Sequence, residues 1–150
     1  MTESSNPINV PLYFHTILFA YQKRLRDKFG QAEGIFARPV LETIAKIDKE
    51  SKIHVIRGNN LDEILENFSR DVMSSQVVNK AFFEKVGDGG YVFHIEGCAF
   101  SKPVHDMLKP KDAICPLAMI AMSVFHVATG KRLRTLDSEF TSDGCMTKIH

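Results

Sequence analysis

Three cysteines and one histidine, Cys98, His105, Cys115 and Cys145, are the residues of this 150-residue chain whose types could do chemistry together. Three thiolates and an imidazole form a closed tetrahedral set of the kind that holds structural zinc. The intervals between them match no tight zinc knuckle, so position carries the reading rather than spacing. Cys98 is expected to end a strand. Cys115 opens a helix, where unpaired N–H groups lower a thiol pKa. Cys145 starts a strand after a tight turn. Ends of elements are where chain segments can converge. Two other readings stand beside zinc: three buried free cysteines, or a redox pair of Cys98 with Cys115 that leaves Cys145 free.

The remaining histidines divide by context. His94 alternates onto the same strand face as Cys98 and serves as a reserve ligand, or as a hydrogen-bonded histidine on a sheet face. His15 and His126 lie on mostly apolar helices and read as core or rim histidines; His54 and His150 carry no signal. A metal with one position open to water would turn the site into a small zinc enzyme, with Glu96 as general base. An assembly role is the third reading, with the first helix or an exposed sheet edge pairing two subunits.

A second group is apolar. Phe93, Phe100, Met119, Met122 and Phe125, with Met107, Phe82 and Phe83, form a sulfur-rich and aromatic set that could line a pocket for a hydrophobic small molecule. Plain core packing explains the same residues. There is no phosphate loop, dinucleotide glycine fingerprint, nucleophile elbow or haem attachment motif. The basic run Lys131, Arg132 and Arg134 reads as a solvated strand edge. Asp137, Ser138 and Glu139 lack the separate environments that acid–base catalysis needs.

The elements that must position these residues follow from periodicity. Phe14, Ile17, Leu18, Tyr21, Leu25 and Phe29 mark an amphipathic helix over 10–29, closed by Gly30. A second helix is predicted over 35–49, with Pro39 near its start, and a third from Leu61, capped by Asn60. An extended piece is expected over 53–57. From Val77 the chain turns β-branched and aromatic: a hairpin over 77–98 around Gly87-Asp88-Gly89-Gly90. A short helix follows, with Ser101 as cap and Pro103 in its first turn. Cys115-Pro116 then starts a helix to Thr129 that is apolar nearly all round, hence buried. Lys131–Phe140 and Cys145–Ile149 form a second hairpin. The result is an α+β fold: N-terminal helices packed on an antiparallel sheet of about four strands, with a buried helix between two hairpins.

Length fits one domain, 1–150, with a mainly helical half to residue 76. Apolar content of 44%, charged content of 25% and a formal net charge of +1 are ordinary for a globular protein and give no reason to expect nucleic acid. No window is long enough for a membrane span. The start lacks the pattern of a secretory signal, so a cytoplasmic location is expected, with the cysteines reduced. The apolar stripe Phe14, Leu18, Tyr21 and Leu25 could pack on a copy of itself, and a homodimer is expected.

The half from 77 to 150 resembles the four-vinyl-reductase domain, a family viewed as binding small molecules, including hydrocarbons. The resemblance rests on Glu96-Gly97-Cys98, on Cys115 opening an apolar helix, and on Ser138-Glu139-Phe140 and Gly144-Cys145 near the end. It implies helices packed on an antiparallel sheet. It also implies Cys98, Cys115 and Cys145 as metal ligands, with His105 added from its position. The family's name suggests a reductase, but no nicotinamide or flavin motif is visible here, so that activity is not expected. Similar domains serve as sensor modules and vesicle-tethering subunits, which matches the assembly reading.

Overall fold

The computed structural model describes residues 10–30, 33–87, 89–100, 104–107, 109, 112–131 and 135–150. Ser101, Pro103, Asp88, Arg132 and Arg134, which carried sequence expectations, lie outside the described residues. Three helices come first: α1 (Val10–Phe29), α2 (Glu33–Glu50) and α3 (Leu61–Ser74). The hairpin β1 (Lys80–Val86) and β2 (Gly90–Glu96) follows, then a 3-10 turn over His105–Met107. Helix α4 (Pro116–Thr129) leads to the second hairpin, β3 (Thr135–Phe140) and β4 (Cys145–Ile149). The four strands form one antiparallel sheet in the order β1-β2-β4-β3. The fold is the α+β architecture expected from the sequence.

Local chemistry explains each boundary that matters. Asn60 caps α3 by accepting from the Glu63 N–H at 3.0 Å, while the Glu63 carboxylate reaches back to the Asn59 N–H at 2.8 Å. Pro116 sits in the first turn of α4, where a missing N–H costs nothing, and Gly130 closes that helix in the left-handed conformation. Pro39 lies inside α2, six residues into it rather than near its start. The stretch 53–57, expected as extended, pairs with no strand.

Alternation in the strands sorts the sheet into two faces. Tyr91, Phe93 and Ile95 of β2, with Cys145, Thr147 and Ile149 of β4, are buried beneath α3 and α4. Phe82, His94 and Met146 occupy the opposite face, where the Phe82 and His94 rings stack at 4.5 Å. Ala118, Ala121 and Val124 are fully buried, as a helix apolar on most sides requires. Helix α2 packs on α4. Helix α1 docks through a smaller cluster in which Phe19 meets Val104 and Ala113. It leaves Tyr13, Phe14, Ile17 and Tyr21 exposed.

Candidate thiol corner and apolar cleft

Two glycine–cysteine pairs meet at one end of the sheet. At the end of β2, Gly97 has φ +64°, and a Cβ there would lie 2.3 Å from the Asn79 side chain, so only glycine fits. The turn it permits carries Cys98 into the core. Cys98 therefore does not share the outer face with His94, as strand alternation alone implied; His94 bonds Glu84 at 2.9 Å instead. At Gly144 a Cβ would lie 1.8 Å from the Ile95 carbonyl oxygen, so the β3–β4 turn can rest against β2 only through a glycine. Asp143 fastens the two pairs. Its carboxylate accepts from the Gly97 N–H at 3.0 Å, and its carbonyl accepts from the Cys98 N–H at 2.8 Å.

Cys115 reaches this corner from the start of α4. Its N–H donates to Ser138 Oγ at 3.0 Å, and Ser138 Oγ in turn shares a 2.6 Å hydrogen bond with Thr147 Oγ1. One residue earlier, the buried Gln22 amide of α1 clamps the backbone of Ile114. Its nitrogen donates to the Ile114 carbonyl at 3.1 Å, and its oxygen accepts from the Ile114 N–H at 2.9 Å.

All three cysteines are buried, and none forms a disulfide. The Cys145 thiol donates to the Cys115 sulfur. That bond lowers the Cys115 pKa against the effect of burial, and the Leu117 and Ala118 N–H groups of the first turn of α4 help, without closing a capping bond. The same bond, then burial, pushes Cys145 far upward; charge on Cys115 or Cys98 would act the same way. The two thiols are thus unequal, Cys115 the easier of the pair to ionise and Cys145 the harder, with Cys98 in electrostatic reach of Cys145.

His105, expected as the fourth ligand, bonds the backbone of the β3–β4 turn that leads into Cys145. Its Nδ1–H donates to the Thr141 carbonyl at 3.0 Å, and its ring packs against Phe140 with centroids 4.9 Å apart. Among the described residues, no three His, Cys, Asp or Glu side chains are gathered as metal ligands would be. Glu96 is exposed and bonded to Lys80 at 3.3 Å, so it faces no thiol as a base.

Beside the corner lies a cleft of 370 Å³ between α1, α2 and α4. Leu18, Pro39, Val40, Ile44, Pro116, Met119 and Ile120 make it apolar, with Thr43 contributing the one hydroxyl. Of the five side chains expected to bind ligand, Met119 lines this cleft. Phe93, Met122 and Phe125 are core residues, and Phe100 packs against the core and the His15 ring. A second cleft, of 520 Å³, separates α3 from β1. At its end Asp62 accepts from Lys85 at 2.7 Å and from the Tyr91 hydroxyl at 3.0 Å. The Lys85 bond, then the Tyr91 bond, hold the Asp62 carboxyl below its usual range.

Sequence reasoning missed Gln22, Asp143, Ser138 and Thr147 as builders of the corner. Asp143 alone carried a usable signal, an acid two residues before a cysteine in a Ser-Asp-Gly turn. No protein-family model, curated protein or solved structure matches this chain.

Proposed function

We propose that this protein is a binding module that takes a hydrophobic small molecule in the cleft between α1, α2 and α4, with the thiol corner bracing one end. The observation that carries this reading is the cleft itself: 370 Å³ of volume walled by seven apolar residues and one threonine. That size falls in the usual range for small-molecule sites, and few polar groups on an apolar wall is the usual pattern. The resemblance of the second half to the four-vinyl-reductase domain supports the same ligand class. Pro116 links the two features, since it lines the cleft and directly follows Cys115. Native mass spectrometry of freshly purified protein tests the reading: an apolar adduct that Val40→Trp removes is expected, and an adduct unchanged by Val40→Trp would refute its placement.

Zinc at the corner is a second reading, favoured by the approach of Cys98 to the Cys115–Cys145 pair. Stoichiometric zinc in protein purified without chelator, lost in Cys115→Ser, is its test. The exposed faces of Phe14, 70% accessible, and Tyr21, 64% accessible, support pairing of α1 with a second copy. A solution mass of one chain would dismiss that pairing. No described helix is long and apolar enough to cross a membrane. Three thiols with no partner cysteine bonded suit the cytoplasm.

A further inference from the structure

His15 and His105 are brought together from distant parts of the chain, and neither lines the cleft. Their ring centroids are 6.2 Å apart. His105 is 5% exposed, and the Nε2 atoms of both rings are buried with no hydrogen-bond partner among the described residues. We propose that these two imidazoles form a two-nitrogen site for a monovalent copper ion, bridging α1 to the 3-10 turn.

The tautomer of His105 is fixed by its surroundings. A carbonyl can only accept, so the 3.0 Å contact with Thr141 places the proton on Nδ1 and leaves Nε2 as a bare lone pair. A histidine that donates one ring N–H to a backbone carbonyl and keeps the other nitrogen free is the arrangement seen in metal-ligating histidines. Burial disfavours the charged form of both rings, against the Thr141 and Gly144 backbone bonds in the case of His105.

The spacing selects the ion. Metal–imidazole bonds are about 2.0 Å long, so two rings sharing an ion have centroids roughly 6 Å apart only when their nitrogens lie on nearly opposite sides of it. Monovalent copper accepts that linear two-coordinate geometry. Zinc does not, since it asks for four ligands. The walls agree. Phe19 meets His15 edge-on at 4.5 Å, Phe100 lies 5.1 Å from His15, and Phe140 lies 4.9 Å from His105. These rings give the pair an aromatic, apolar surround. Their faces tolerate a single positive charge held by neutral ligands.

The test is anaerobic titration of the full chain with the acetonitrile complex of monovalent copper, read by X-ray absorption and by the imidazole nitrogen shifts. One copper per chain in a two-nitrogen shell is expected. Affinity should fall at least tenfold in His15→Phe and in His105→Phe and be kept in Cys115→Ser. His15→Gln, on the less buried helix side, serves if the His105 variant fails to fold. A sulfur-only shell, or full-affinity binding in His15→Phe and His15→Gln, overturns the proposal. So does the absence of bound copper, in which case the pair holds an ordered water only.

Discussion

The Cys145 thiol donates its hydrogen to the Cys115 sulfur, joining the first residue of the last strand to the start of the buried helix. Thirty positions apart in sequence, the two are joined where Ser138 and Thr147 build the corner. A pair so placed is the one that closes under oxidation. Hydrogen peroxide would take two electrons and two protons from the two thiols to give one disulfide and two waters. Peptide mapping after mild peroxide treatment should find Cys115 linked to Cys145, with Cys98 reduced. A Cys98–Cys115 link would mean that the corner is assembled differently.

Gly144 makes that pairing possible. With a Cβ only 1.8 Å from the Ile95 carbonyl, Gly144→Ala must part the β3–β4 turn from the end of β2 and disturb the Asp143 bonds to Gly97 and Cys98. A loss of about 3 kcal/mol is expected in urea denaturation. Gly30→Ala, where a Cβ meets nothing within 4 Å but φ is +76°, should lose only about 1 kcal/mol.

Gln22 is the polar anchor of α1. Gln22→Leu keeps the volume but strands the Ile114 N–H and carbonyl in the interior. Two buried backbone groups without partners amount to about 3 kcal/mol. Equilibrium unfolding should show that loss, and hydrogen exchange should show the Ile114 amide losing its protection.

His15 links stability to pH. Its pKa is about 4 in the folded protein against 6.5 for an ordinary histidine, so the unfolded chain binds the extra proton first. The stabilising contribution of neutral His15 is complete above pH 6.5. It is lost progressively as pH falls toward 4, by at most about 3 kcal/mol. His15→Phe should flatten the stability profile between pH 6.5 and 4. An unchanged slope there would show that other groups set it.

The sequence revealed most of the architecture because its signals were local. Periods of three to four and of two marked helices and strands, and Asn60, Gly130 and Pro116 marked ends. The four antiparallel strands and the buried helix between hairpins followed. What escaped depended on tertiary geometry. Alternation placed Cys98 with His94 because the positive φ of Gly97, which swings Cys98 inward, has no signature beyond the glycine itself. His105 is expected near the cysteines from its position; its contacts to Thr141 of the last turn and His15 of the first helix have no sequence signature. Phe93, Met122 and Phe125 read more readily as core than as pocket, since periodicity reports burial and not what covers a side chain. Gln22, 92 positions from Ile114, could not be linked to it without the fold.

Occupancy of the cleft is most directly measured by titrating the protein with the neutral hydrophobic fluorophore N-phenyl-1-naphthylamine. Saturable binding at one site per chain is expected. Ile44→Trp and Val40→Trp, which fill the space between α2 and α4 from the α2 side, should abolish it while leaving the circular dichroism spectrum and melting temperature unchanged. Undiminished binding in both folded variants would contradict the cleft as the ligand site.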